Sequence, residues 1–236
     1  MATRPKPDDP RPHGLFGRMA DHYDRFNHLC SLGMDAWWRH RSLRGFPVSG
    51  RILDLGSGGG QMSECLAEKQ AFCVGLDPSY AMLAKGKRLG RVFLPVQAQG
   101  ESLPFRDNTW DAVISGFVMR NLESLEKTLR ECHRTLRPGG GLMVLDFFPP
   151  RSRLLRAFFR IYLGRVVPWV YGRVTGLGRD AAWLSRSIEG FMSPAHFRKM
   201  LDECGFSNVR MRPLLFHIAW RVVAIKEDVP SGTRHG

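Results

Sequence analysis

Cysteine is scarce in this chain and unsuited to cross-linking. The five residues, at 30, 65, 73, 132 and 204, are odd in number, widely spaced and form no C-x-x-C. That excludes a disulfide framework and a zinc ribbon and leaves reduced, buried thiols of a cytosolic protein; no metal site is expected. Long apolar runs are also lacking: none approaches the roughly 18 residues of a membrane span. Met1 to His13 is rich in Pro and charge, without the apolar segment of a secretory signal, so residues 1–14 read as a disordered leader. Acidic residues are few, 22 against 35 Lys and Arg, so the net charge is +13 and the sequence pI about 10.2. Such a balance favours polyanions, either nucleic acid or an anionic lipid surface. The chain carries no zinc finger, RNP signature or Lys/Arg block, so no nucleic-acid partner is expected.

What is present is alternation of strands and helices. With 236 residues, 43% of them hydrophobic, the chain can bury one sizeable core. The alternation starts at Arg51-Ile52-Leu53-Asp54-Leu55-Gly56-Ser57-Gly58-Gly59-Gly60-Gln61, a strand running into a glycine turn and a helix over 61–69. Strands are predicted at about 51–56, 71–77, 91–98, 110–116 and 141–147. Helices are predicted at 79–89 and 123–137, the second closed by Pro138-Gly139-Gly140-Gly141. A helix from 193 to Cys204, with Ser193 as N-cap and Pro194 first, precedes strands near 207–213 and 215–225 that close the sheet as an antiparallel pair. Residues 15–46 form a helical lid broken at Ser31-Leu32-Gly33, 148–190 a helical insertion, and 227–236 a flexible tail. The fold class is α/β: a single domain over 15–226 with a doubly wound, Rossmann-like, mostly parallel sheet.

Ligands of such sheets lie beyond the carboxyl ends of the strands. A dinucleotide fingerprint would need its third small residue at Gln61, which is not small, so a nicotinamide cofactor fits poorly. The pattern Asp54-x-Gly56-x-Gly58-x-Gly60 instead resembles motif I of the class I S-adenosylmethionine (SAM) methyltransferases, whose glycines pass under the amino-acid moiety of the ligand. A tight turn without a ligand is the alternative. Asp77 ends the second strand and can accept both ribose hydroxyls, or cap the helix after Pro78-Ser79. Gln99-Gly100-Glu101 follow the third strand; the resemblance places the adenine-reading side chain at Gln99, with Glu101 as competitor.

Further segments carry a narrower resemblance. Phe16, Tyr23-Asp24-Arg25-Phe26-Asn27, Ser31-Leu32-Gly33 and Trp38-Arg39 open the chain, and Leu103 to Asp111, Arg120-Asn121, Leu136-Arg137-Pro138-Gly139-Gly140 and Ser187-Ile188 follow. In order and spacing they resemble the ubiquinone/menaquinone biosynthesis C-methyltransferases over about residues 15–226. The resemblance implies SAM as cofactor and a polyprenyl hydroquinone as acceptor, either a demethylmenaquinol or a demethylated ubiquinol precursor. It also places Tyr23 and Arg120 at the active site; the reduced thiols point to the cytoplasm, and the basic stretch from Arg151 to Arg173 to the inner face of the membrane. Departures fall in the acceptor half: Val118 where the family has glycine, Phe148 where it has serine, and Ala181 and Trp183 where it has tyrosines. They keep open methylation of another lipid, a phospholipid amine or a sterol, or an inactive SAM-binding scaffold.

Methylating a hydroquinone carbon needs an electron-rich ring. A guanidinium keeps its proton in proteins, so Arg120 is no direct base; it can stabilise a phenolate or orient a water that takes the proton. A surface ion pair with Glu123 is its other reading. Asn121 can hold an acceptor oxygen and Tyr23 can complete a hydrogen-bond chain at the lid. His22 adjoins Tyr23 and reads as a polar helix residue or a relay; His133, mid-helix, reads as structural.

Arg151 to Arg173 holds six arginines and no acid, with Leu154, Leu155, Phe158, Phe159, Tyr162, Trp169 and Tyr171 among them. This is the composition of an interfacial helix with aromatic anchors, or of a core-packing helix with solvated arginines; the first would dock on an anionic membrane surface.

Overall fold

A computed structural model describes residues 17, 19–67, 69, 71–91, 94–150, 152–175, 183–214 and 217–227. The leader, the end of the tail and Ala181 lie outside the described residues.

The apolar runs that end in glycine or aspartate become central strands buried on both faces. Strands β1 (Gly50–Leu55), β2 (Ala71–Leu76), β3 (Leu94–Val96), β4 (Trp110–Gly116) and β5 (Leu136–Phe147) pair in parallel; β6 (Phe206–Pro213) and β7 (Ala219–Lys226) follow. The order is β3-β2-β1-β4-β5-β7-β6, and β6 and β7 form the antiparallel closing pair that the sequence predicts, β7 being antiparallel to β5 as well. Strand order reverses between β1 and β4, so a crevice opens at their carboxyl ends.

Alternate residues supply two cores. Leu53, Leu55, Val113 and Val144 meet Leu129 and Cys132 of α5 (Leu125–Thr135) and Phe197 and Leu201 of α9 (Pro194–Glu203). Ile52, Ala112, Ile114, Met143 and Leu145 face Trp38 of α2 (Asp35–Leu43) and Phe46. A third core joins the lid to the insertion. Met19 and Phe26 of α1 (Tyr23–Cys30) pack with Leu163, Val167, Tyr171, Leu184 and Ile188. The insertion comprises α6 (Arg153–Ile161), a π-helical turn (Tyr162–Val166), α7 (Val167–Thr175) and α8 (Trp183–Glu189).

Three local expectations need correction. The helix after the glycine turn, α3, covers only Gln61–Glu64, because Cys65 and Leu66 bond back to Met62 and Ser63 and tighten the chain into turns. The helix α5 stops at Thr135, and β5 already begins at Leu136, opposite Trp110. Pro138 to Gly140 form an irregularity inside β5, where the register shifts between Trp110 and Ala112, and do not cap a helix. A Cβ on Gly140 would stand 2.8 Å from the Arg137 carbonyl oxygen. Among the described residues of the third predicted strand, 94–96 pair with β2. The helix α4 (Tyr80–Arg88) begins as expected, capped by the Ser79 hydroxyl.

Phe148 is fully buried at the centre of a ring cluster, 5.1 Å from Phe191, 5.5 Å from Phe197 and 6.0 Å from Trp220. Its departure from the family pattern is absorbed by the core. Phe148→Ala should lower unfolding free energy by about 3–5 kcal/mol in urea titrations, a loss under about 1 kcal/mol showing that the cluster is not formed.

Candidate active site

The crevice holds a cavity lined by the glycine turn (Leu55 to Gly58), Gln61, Asp77, Pro78, Gln99 to Glu101 and Gly116 to Val118. Tyr23, Arg39, Asn121, Leu122 and Glu123 complete the wall. The turn needs its glycines. Gly56 and Gly58 have φ of 66° and 52°, and a Cβ on Gly56 would meet the Val118 side chain at 2.4 Å. Asp77 holds the turn from β2: its Oδ2 accepts the Gly58 N–H at 2.9 Å and its Oδ1 the Ser79 N–H at 2.8 Å. Both oxygens keep a second lone pair for a ligand. The Ser57 hydroxyl and the Asn121 Oδ1 are buried on this wall without a hydrogen-bond partner among the described residues.

Asp54 and Gly60 do not line the cavity. Asp54 lies beneath the turn, where its Oδ2 accepts from the Ser63 hydroxyl at 2.6 Å and the Ser63 N–H at 3.1 Å; Gly60 is the N-cap of α3, with φ of 83°. Both shape the turn from behind. Glu101 is committed elsewhere in part: its Oε1 accepts the N–H groups of Glu123 and Ser124 at 3.0 and 3.2 Å, fixing the start of α5.

The lid is clasped to the turn by Asp24, which the sequence analysis quotes only as part of the opening motif. Its carboxylate accepts from Gln61 Nε2 at 2.6 Å and meets Lys85 at 3.2 Å and Arg91 at 3.1 Å. Arg91 also donates to the Gly59 carbonyl at 2.9 Å. Burial pushes the Asp24 carboxyl up, but Lys85 and Arg91 outweigh it and hold it below the usual range. The clasp places Tyr23 on the cavity wall, where burial pushes its phenol up and keeps the proton on. Arg39, also missed as a site residue, is buried on the same wall, 2.7 Å from Asp35 and 5.3 Å over the Phe117 ring.

Arg120 is not the surface partner of Glu123. Its guanidinium is buried one layer behind the cavity wall in an ion pair with Asp146, at the end of β5. Its Nε donates to the Ser187 hydroxyl of α8 at 3.3 Å, and the Phe147 ring lies 5.3 Å from its Cζ. Asp146 Oδ1 also accepts the Phe147 N–H at 2.7 Å. Of the histidines, His22 does not line the cavity, and His133 packs edge-on against Phe206 at 5.2 Å. Of the departures from the family pattern, Val118 alone among the described side chains lies on the cavity wall.

The family described as "ubiE/COQ5 methyltransferase family" matches residues 6–226. The chain belongs to that family. It is 37% identical over 213 residues to a "Demethylmenaquinone methyltransferase" of Thermus thermophilus, covering 87% of this chain and 96% of that one. It is 40% identical over 218 residues to a "Ubiquinone/menaquinone biosynthesis C-methyltransferase UbiE" of Syntrophotalea carbinolica, covering 87% and 89%. A SAM-dependent methyltransferase structure from Thermotoga maritima superposes with a TM-score of 0.65 at 17% identity, over 90% of this chain and 99% of that one, which shows the shared fold. This protein is therefore a SAM-dependent methyltransferase. The cavity fits that cofactor: a glycine turn on its wall, a carboxylate at the end of β2, and an unpartnered buried hydroxyl at Ser57.

Two predictions follow from the charges. Burial pushes Asp54 up to about 7 and Asp77 to about 6. An acid whose folded pKa exceeds its unfolded value of 3.8 binds its proton more firmly in the fold, so the stability it lends is present at low pH and lost as pH rises through about 4 to 7. The ligand-free protein should be less stable at pH 7 than at pH 5 by on the order of 2 kcal/mol, and Asp54→Asn should remove much of that difference. Equal unfolding free energies of the wild type at the two pH values would contradict this. For the ion pair, Asp146→Leu should cost about 3–5 kcal/mol by stranding the guanidinium, whereas Arg120→Met with Asp146→Leu should cost far less than the two single changes together. Additive losses in that double-mutant cycle would show that the two groups are not coupled.

Proposed function

We propose that this methyltransferase methylates a ring carbon of a polyprenyl hydroquinone, a demethylmenaquinol or a demethylated ubiquinol precursor, in quinone biosynthesis. The observation that carries the reading is that Tyr23 and Asn121 line the same cavity as the glycine turn, with the buried Arg120–Asp146 pair behind its wall. The names of the relatives from Thermus thermophilus and Syntrophotalea carbinolica support it.

SAM, when bound, supplies an electrophilic methyl group. Asp77 takes the ribose hydroxyls, and Gly56, Gly58 and Gly100 line the cavity that holds the ligand. Asp54 and Gly60 hold the shape of the turn. Gln99 reads the adenine, because Glu101 is already engaged by the start of α5. Arg39 offers the methionyl carboxylate a counter-charge. The Asn121 Oδ1 accepts a ring hydroxyl, and Tyr23, still protonated, donates to the oxygen that becomes phenolate. The hydroxyl proton passes to water, and the Arg120 charge behind the wall stabilises the anion that remains. The ring proton leaves to water after methylation. Much of the rate comes from holding donor and carbon in line, since orientation alone can supply about 7–11 kcal/mol.

Val118 favours a second reading. It stands on the cavity wall where the family has glycine, with its side chain against Gly56, and that change favours another lipid, a phospholipid amine or a sterol, as the substrate. Methyl transfer from labelled SAM to a demethylmenaquinol, a demethylated ubiquinol precursor and phosphatidylethanolamine, with mass spectrometry of products, separates the two. Label on a quinol ring carbon is expected. Label on the phospholipid alone would replace the quinol reading with the second.

A further inference from the structure

The insertion carries an unpartnered apolar stripe. From Arg153 to Thr175 the chain is one continuous helix, made of α6, the π-helical turn and α7. Its inner face is covered, with Leu163, Val167 and Tyr171 packed on the lid. Its outer face is not: Leu154 is 85% exposed, Phe158 55%, Ile161 54%, Val166 43% and Trp169 61%. These are five of the eleven large apolar side chains exposed among the described residues, gathered on one helix.

Their spacing is four, three, five and three residues, so they recur once per turn. The five-residue step spans the π-helical turn, whose wider loop absorbs one extra residue and keeps Val166 and Trp169 in phase with Phe158 and Ile161. Pro168, which has no N–H to return to the preceding turn, sits just past it. The local irregularity thus preserves an exposed stripe, which a core-packing role does not require.

The charge along this helix is of one sign, with Arg160 paired to Glu189 of α8 at 3.2 Å. Arg153, Arg156, Arg160, Arg165 and Arg173 are all exposed, and the sequence from 151 to 173 has no acid. Arg173 stacks over the Trp169 ring with Cζ at 4.5 Å, the pairing that lets an aromatic side chain sit at headgroup depth beside a cation. No described helix is long and apolar enough to cross a membrane. An apolar stripe flanked by arginines on a helix that does not span is the design of an in-plane interfacial helix.

We propose that the outer face of this helix docks the enzyme on an anionic lipid bilayer, with Leu154, Phe158, Ile161, Val166 and Trp169 in the acyl boundary and the arginines on lipid phosphates. Its inner face holds the lid that carries Tyr23, and α8 of the same insertion carries the Ser187 hydroxyl that bonds Arg120. The docked surface therefore lies on the element that closes the active site. The proposal extends the quinol reading by bringing the site to the bilayer, yet its test uses no quinol.

The test is flotation of the full chain with vesicles of phosphatidylcholine alone or with one-third phosphatidylglycerol, at low and at high salt. Calorimetric SAM binding and sedimentation velocity run alongside. Binding is expected on the anionic vesicles only, weakened at least tenfold by 0.5 M salt. Phe158→Glu with Trp169→Glu should abolish it, and Arg153→Glu with Arg165→Glu should reduce it about tenfold or more, both with SAM affinity unchanged. Absence of flotation at low salt would overturn the proposal, as would binding that survives the Phe158→Glu/Trp169→Glu change. Concentration-dependent dimerisation that this pair of changes abolishes, without vesicle binding, would assign the stripe to a second copy of the chain. Failure of the quinol assay with intact vesicle binding would leave docking standing and remove only the acceptor assignment.

Discussion

A guanidinium and a carboxylate taken out of water together are tolerable only when each finds the other and further hydrogen bonds. Arg120 and Asp146 meet that condition by joining three parts of the chain. Arg120 stands in the turn after β4, Asp146 ends β5, and Ser187 comes from the insertion. Each part is held independently: β4 and β5 by the sheet, α8 by the lid–insertion core. The pair therefore fixes the insertion against the carboxyl edge of the sheet, and with it the side of the cavity away from the glycine turn. The Phe147 ring over the guanidinium and the Trp38 and Phe117 rings beside it exclude water from that side.

The opposite side is organised by weaker, more exposed charges. Asp24 gathers Gln61, Lys85 and Arg91, and Arg91 reaches on to the Gly59 carbonyl and Glu64. The Asp24 side chain is 35% exposed, so solvent reaches this cluster as it does not reach Arg120 and Asp146. The effect of the cluster is positional: it sets the first turn of α1, and with it Tyr23, against the glycine loop. One wall is thus rigid and dry, while the other is a clasp that salt and solvent can compete for.

Much of this was legible in the sequence, for physical reasons. Apolar runs ending in glycine or aspartate identify parallel strands and their ligand-facing ends, and Ser193 caps a helix as its position implies. The cavity gathers Tyr23, Asp77, Gln99 to Glu101 and Asn121, from four separate stretches of the chain. What was not legible depends on the third dimension. Asp146 ends a strand like many acids, and nothing local says that an arginine 26 residues earlier in the sequence will be its partner. Gln61 served as the residue that disfavours a dinucleotide, while its amide in fact anchors the lid. Pro138 to Gly140 carry the signature of a helix stop, but the bulge they form follows from the Leu136–Trp110 pairing, a tertiary contact. Phe148 looked like a change at the acceptor site because the strand it follows ends there; its side chain points into the core instead.

The central claim is that Arg120 acts on the acceptor and not on the cofactor. Arg120→Lys keeps a positive charge for Asp146 but loses the planar fork that serves several partners at once. The decisive measurement is single-turnover methyl transfer to a reduced quinol by this variant, with SAM affinity measured by calorimetry on the same preparation. The account predicts a fall of about a hundredfold or more in the transfer rate, with SAM affinity within about twofold of the parent. A comparable loss of SAM affinity, or transfer at the parent rate, would contradict it.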